Sequence, residues 1–434
     1  MRVIDNYFKI TGRNSTIPRE LVGGAVTFAS MVYILAVQPG VMAAAGMDSG
    51  AVFTATAFTA GMATLIMAFL GRAPIALASG LGINAFIAYS VCGQMGFSWQ
   101  TALCAVFVEG LIFIAISLTG LREIIIAGIP DQVKKAVALG IGLFVAIIGF
   151  NNAGILITNG PTPLAMAPIN SGPPLLTVIG LVFIIILWTL RIPGSILISI
   201  CATALVGIPM GITVIPENFS LIHIPPMPYT PVDIIQGIAG VHVLDFCLVL
   251  FSLLFVDLFD TVSTLAGVAI QGNLLDKQGN IINCRKILLS DALGTSIGAL
   301  FGATTVTAYI ESTTGVAVGG RTGLSSVVTG LLFLLALFTS PFFLLIPSAA
   351  TAPALIFVGF MMLGALTGLE LRKTEVGLPV FLTMIAVPLS YSIAQGLAWG
   401  FISFTLVKIV QRRFFDITPP TMILTVIFLI KQLL

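Results

Sequence analysis

Apolar runs separated by short polar connections cover almost the whole chain. Runs of about 20 apolar residues, the length a helix needs to cross a bilayer, or shorter runs broken by Gly or Pro, were sought along it. They fall near 20–43, 51–70, 74–92, 99–119, 134–151, 174–190, 193–212, 244–269, 288–303, 304–320, 323–344, 347–368, 376–391 and 395–411. The pattern predicts an all-α polytopic membrane protein with fourteen transmembrane segments. A shorter apolar tail at 420–434 follows and reads as an interfacial helix. The basic residues test the count. Of 19 Lys and Arg, all but Lys431 fall in connections on one side of the membrane. An excess of Lys and Arg marks the cytoplasmic side, so both termini are expected inside, in a multi-pass protein of the cell (inner or plasma) membrane.

Two pairs of segments repeat at an offset of seven. The fifth segment begins IPDQVKKAVALGIGLF and the twelfth IPSAATAPALIFVGFM, each an Ile-Pro start, small residues and then an apolar helix. The third (PIALASGLGINAF) and the tenth (VTAYIESTTGVAVGG) each join an extended lead to a Gly-rich helix. An odd number of segments per half inverts the second half, which predicts a 7+7 inverted repeat. Non-helical backbone cannot face lipid. The leads Pro74–Ala78 and Thr304–Ile310 are therefore expected as short strands in spans 3 and 10 that pair across the repeat, with Ser79 and Ser312, Thr313 and Thr314 as helix caps. Two ordinary helices loosened by glycine is the competing reading.

Most acids sort into connections: Asp276, Glu370, Glu375 and Asp416 inside, Asp48, Glu217 and Asp233 outside, with Glu123 and Asp131 flanking the link between segments four and five. Glu109, Asp257, Asp260 and Glu311 fall inside segments, with Asp245 and Asp291 near segment ends. A charge at the centre of a membrane helix costs about 2.5–3.5 kcal/mol on insertion scales. Such acids need a partner, a proton or a polar cavity. Asp257 and Asp260 are three residues apart and are expected on one helical face. With Glu311 they form a candidate proton-coupling cluster far from any central Lys or Arg. Asn84 can donate and accept toward a heteroaromatic ring, and Phe86 or Tyr89 could stack on it, although core packing also accounts for both aromatics.

Composition narrows the class. The chain is 58% hydrophobic and 8% charged, with a formal net charge of +2, which gives no footprint for nucleic acid. Five dispersed cysteines and two histidines, His223 and His242, lack metal-ligand spacing and read as packing, so no metal is expected. GGRTGLS lacks the Walker pattern and reads as a helix end with Arg321 as an anchor.

The stretches YIESTTGVAVGGRTGLSSVVTGLLFLLALF, FVDLFDTVSTLAGVA, ASGLGINAF and TFASMVYILAVQPGVM together resemble the AzgA-like purine permeases of the nucleobase–cation symporter group, from about residue 7 onward. The resemblance implies a core domain (residues 20–119 and 244–344) and a gate domain (120–212 and 345–411), with a tail at 412–434. It implies proton-coupled uptake of adenine, guanine or hypoxanthine, without a cofactor other than the proton, and no enzyme activity. By motif it implies a substrate site of Asn84, Phe86, Asp257, Glu311 and Ser312, with Asp257, Asp260 and Glu311 coupling protons. Ser79, Ile83, Ser263 and Gln38 depart from the family pattern. An anion transporter or exchanger on the same architecture is the alternative, and three central acids argue against it. A channel or a membrane hydrolase fits less well, because neither pore rings nor a nucleophile set is visible. A homodimer is a candidate assembly.

Overall fold

Most apolar runs form helices, even where Pro353, Pro379 or Pro388 falls inside them, whereas the runs at 74–92 and 304–320 form a short strand followed by helix. The computed structural model describes residues 2–433 except 120–129, 160–161, 217–218, 221, 224, 239–242, 273 and 276–280. Glu123, Glu217, Asp276 and His242 lie outside the described residues. In the first half, α1 (Ile17–Met31) and α2 (Ile34–Ala43) make one span, and α3 (Ser49–Ile66) the next. Strand β1 (Leu77–Ser79) leads into α4 (Leu81–Ala85), which continues as a π-helix over Phe86–Gln94. Then come α5 (Trp99–Thr119), α6 (Asp131–Asn152), a hairpin of β2 (Leu156–Asn159) and β3 (Thr162–Met166), α7 (Gly172–Thr189) and α8 (Ser195–Gly207). The hairpin is not among the elements expected from the sequence.

The second half holds α9 (Val243–Gln271) and α10 (Cys284–Leu300). Strand β4 (Val306–Ala308) and the short α11 (Ser312–Ala317) precede α12 (Gly323–Ala336). They are followed by α13 (Ser348–Met362), α14 (Thr374–Ser390), α15 (Ile393–Val410) and α16 (Pro419–Leu433). Among the described residues, eight helical stretches are long and apolar enough to cross a membrane, judged by length and composition.

The helices pack in two sets. In one, α5 lies on α9 and α10, α3 on α2, α10 and α12, and α1 on α11 and α12. In the other, α6 lies on α13, α14 and α15, α7 on α8 and α13, and α15 on α14 and α16. Glycine sets a close crossing in the second set. A Cβ placed on Gly359 of α13 would sit 2.4 Å from the carbonyl oxygen of Gly142 on α6, so these backbones touch.

The tail forms α16, which packs on α15. In α16 the buried residues are Thr421, Leu424, Thr425 and Phe428, while Ile423, Val426, Ile427 and Ile430 are exposed. The outer face of α16 is therefore largely apolar. Phe428 stacks on Phe401 of α15 at 5.8 Å and meets Phe251 of α9 edge-on at 5.6 Å. Beside it, Lys408 donates to Glu375 (2.9 Å) and Asp416 (2.8 Å), and Arg413 also reaches Glu375 (3.0 Å). The hydrogen bond from Lys408 holds the Asp416 carboxyl below its ordinary range.

Candidate functional site

The two leads at 74–78 and 304–310 come together as an antiparallel pair. Leu77 faces Ala308, Ala78 faces Thr307 and Ser79 faces Val306. Gly80 N–H donates to Thr305 O, and Tyr309 N–H to Ala76 O, both at 3.0 Å. A two-stranded ladder still has two bare edges, which hydrocarbon cannot satisfy. Threonines cover them. Thr64 of α3 accepts from Leu77 N–H (3.0 Å) and donates to Leu77 O (3.1 Å). Thr295 of α10 does the same for Val306, at 3.2 and 2.9 Å. Both threonines are fully buried. Tyr309 Oη closes the crossing by donating to Ser79 O at 2.6 Å.

A cavity of about 500 Å³ opens beside this crossing, between the two helix sets. The strand side contributes Gly80, Thr307 and Tyr309, α9 contributes Asp260 and Thr264, and the segment after β4 contributes Glu311. The opposite wall is Ile141 and Val145 of α6 with Val358, Met361 and Met362 of α13. Glu311 is buried, and its Oε1 accepts from Tyr33 Oη at 2.7 Å. Asp260 is half-buried and meets the Thr307 side chain. Two carboxyls therefore share an otherwise mainly apolar chamber. Apolar walls with a few convergent polar groups are what orient a small flat ligand, and the volume lies in the roughly 300–1,000 Å³ range of small-molecule sites.

The other candidate residues lie around the cavity, not on it. Asp257 is fully buried on α9 and points to Thr261, whose hydroxyl lies 3.1 Å from Asp257 and 3.2 Å from Asp291 of α10. The shared face expected for Asp257 and Asp260 is thus split. Three helical residues still leave about 60° between side chains, enough here to divide a packed seam from a cavity. Asn84 is fully buried in a closed ring, donating to Gln38 Oε1 and accepting from Thr304 Oγ1. Phe86 is buried and does not line the cavity. Ser312 does not cap α11; its Oγ accepts from Ala76 N–H at 3.0 Å and so ties the first lead to the second. Likewise Ser79 lies inside β1 and is not a cap. Glu109 accepts from Thr305 at 2.7 Å, bracing the second lead. Tyr89 donates to Asn152 of α6 at 3.2 Å, and Ser90 donates to the Tyr391 carbonyl, so both join the two helix sets.

Tyr33, Tyr309, Thr307 and Lys135 line the cavity without having been singled out from the sequence. Tyr309 stood two residues from Glu311, and Tyr33 was the one tyrosine in an apolar span. Lys135 read only as one of two basic residues at the start of a segment.

Fold and site together define a multi-pass helical membrane protein with an acidic internal cavity between two packed helix sets. Residues 18–399 match the Permease family (Xan_ur_permease). The chain is 40% identical over 438 residues to the guanine/hypoxanthine permease PbuG of Bacillus subtilis, with 98% of each chain covered. It is 35% identical over 431 residues to the adenine permease AdeQ of Escherichia coli, covering 99% of this chain and 96% of that one. The chain belongs to this permease family. The transmembrane domain of a cyanobacterium bicarbonate transporter, BicA, has a similar fold, with a TM-score of 0.63 at 16% identity, covering 88% of this chain and 97% of that one.

Proposed function

We propose that the chain imports purine nucleobases (adenine, guanine or hypoxanthine) together with protons, by elevator-type alternating access. The observation that carries this reading is the pairing of Asp260 and Glu311 in one small cavity between the helix sets. Carboxylates accept hydrogen bonds from ring and exocyclic N–H groups, and Tyr33 orients Glu311 for that task. Two carboxyls so placed can also hold a proton with the base. The names of the relatives point to the same substrates.

The packing pattern supports fourteen segments in a 7+7 inverted repeat. Shifting segment numbers by seven, and counting on from fourteen to one, converts the contact of segments 2 and 11 (α3 with α12) into that of 9 and 4 (α10 with α5), and the contact of 1 and 11 (α1 with α12) into that of 8 and 4 (α9 with α5). Thr64 and Thr295, which cover the two strand edges, stand in the second and ninth segments. We take the first set (20–119 and 244–344) as the core that carries substrate, and the second (120–212 and 345–411) as the gate. We take the contacts of Tyr89 and Ser90 as the closed side of the carrier, and the cavity wall of Lys135, Gly364 and Ala365, near the basic Lys134 and Lys373 in the chain, as its open side. This arrangement corresponds to a carrier facing the cytoplasm, with both termini on that side.

The fold alone is equally compatible with anion transport, as the bicarbonate transporter illustrates, but two carboxyls in the cavity would repel an anion. Uptake of radiolabelled base, with and without a protonophore, tests the reading: saturable uptake that collapses with the proton gradient is expected. Gradient-insensitive uptake would remove the proton, and bicarbonate uptake without purine uptake would favour the anion reading. Asp257 remains a proton-coupling candidate at one remove from the base. Asp260→Asn is expected to weaken hypoxanthine binding by roughly tenfold or more, the loss of one charge-assisted hydrogen bond. Asp257→Asn is expected to spare binding and lower the melting temperature, because it disturbs the packed α9–α10 seam. Equal binding losses in both variants would return Asp257 to the substrate site.

A further inference from the structure

The cavity contains one group of opposite sign. Lys135, near the start of α6, is the single Lys or Arg among the described residues that line it. Its ammonium donates to the Thr367 carbonyl just beyond α13 at 2.8 Å. Among the described residues it has no carboxylate within ion-pair distance, whereas the neighbouring Lys134 pairs with Asp131 at 2.6 Å. A backbone carbonyl occupies only one of its three donors, and the stem is flexible. The acids belong to one helix set and the ammonium to the other, so sliding of the sets changes their separation.

We infer that Lys135 is a positioning residue for proton discharge, the gate-borne cation that favours the ionised form of Asp260 and Glu311 when they face the cytoplasm. This rests on the symport reading above. Once the base has left, the carboxyl proton must pass to water at the cytoplasmic opening, leaving a carboxylate in a largely apolar chamber. A cation approaching from the gate offsets that cost in this orientation and not in the outward one, which biases transport inward. The groups facing the chamber are Asp260 on α9, Glu311 before α11, Tyr33 between α1 and α2, and Tyr309 after β4. Glu375 on α14 is engaged by Lys408 and Arg413, and Asp131 by Lys134.

The experiment uses the full chain in proteoliposomes with tritiated hypoxanthine. One assay reads net uptake into empty vesicles driven by an imposed proton gradient. The other reads exchange into vesicles preloaded with unlabelled hypoxanthine at equal pH, which needs base release but no net proton discharge. Lys135→Met is expected to lower net uptake about tenfold while exchange stays within about twofold, and Lys135→Arg to restore net uptake. Preserved exchange also reports a folded, cycling carrier. Equal losses in both assays, or no loss in either, would overturn the role of Lys135. The wild-type arm isolates the underlying reading: hypoxanthine uptake that ignores the proton gradient defeats symport itself, and the inference with it.

Discussion

Glu311→Gln is expected to abolish accumulation of purine while leaving the protein folded. The amide keeps the size of the side chain and can still accept from Tyr33, so the strand crossing and α11 have no reason to move. What disappears is an ionisable acceptor at the cavity wall. A hydrogen bond to a charged group contributes about 1.5–3 kcal/mol, so base affinity should fall by roughly 10- to 150-fold. Loss of the titratable proton removes concentrative uptake altogether if Glu311 also carries the coupling ion. Hypoxanthine binding by calorimetry and gradient-driven uptake in proteoliposomes measure the two effects separately. Lower affinity with residual accumulation would make Glu311 a binding group and move proton coupling to Asp260. Undiminished binding and uptake would exclude it from the site. Tyr33→Phe should be milder, since it removes one donor from a carboxylate that remains.

The second large effect is structural and concerns Glu20. This residue starts the first span and is fully buried. Its Oε1 accepts from Arg321 N–H (3.0 Å), and its Oε2 from Thr322 N–H (3.2 Å), Ser325 N–H (3.2 Å) and Ser325 Oγ (2.6 Å). One carboxylate thus accepts from two N–H groups of the turn before α12 and from one in its first turn, about 300 residues along the chain, and fastens the GGRTGLS turn to α1. Arg13 adds to the clasp by donating to the carbonyls of Arg72 (3.1 Å) and Arg321 (3.0 Å). Glu20→Ala leaves several buried donors without an acceptor. At about 1–3 kcal/mol for each unsatisfied group, partly offset by entering water, a destabilisation on the order of 3–5 kcal/mol is expected. Thermal unfolding in detergent should show a clearly lower melting temperature, with Glu20→Gln intermediate because its NH₂ would confront donors. An unchanged melting temperature in Glu20→Ala would mean that water replaces the carboxylate at no cost.

Much of this was legible in the sequence, and the exceptions have physical causes. Apolar runs marked the long helices: 99–119 coincides with α5, and 134–151 falls within α6. The run from Thr304 to Thr307 and the lead after Pro74 marked backbone that would not be helical, because β-branched residues and proline both oppose a helix there. Their edge partners, Thr64 and Thr295, could not be distinguished from any other threonine in a span. Helical spacing grouped Asp257 with Asp260, but only packing against α10 decided which of them faces the cavity. Glu20 was not singled out from the sequence, because its partners are mainly backbone groups that no residue pattern reveals. Asn84 was read as a ligand group for its amide; in the structure Gln38 and Thr304 occupy both ends of that amide. Lys135 illustrates the same limit from the other side, since its distance along α6 gave no sign that α13 would frame a cavity around it.

The strand crossing also constrains how the protein is made. Tyr309 and Ser79, which close it, are 230 residues apart in the chain. At about 5–20 residues per second of synthesis, β1 waits roughly 10–50 s for β4 to emerge. Thr64 covers one edge of β1 in that interval, and the other edge pairs with β4, from the second half. Bare strand groups cannot rest in hydrocarbon. On the fourteen-segment reading, the third segment would need a polar or protein-lined shelter until the second half arrives. Ribosome pausing or truncation between the halves exposes that unfinished edge, making the middle of the chain the point at which quality control would act on a nascent copy.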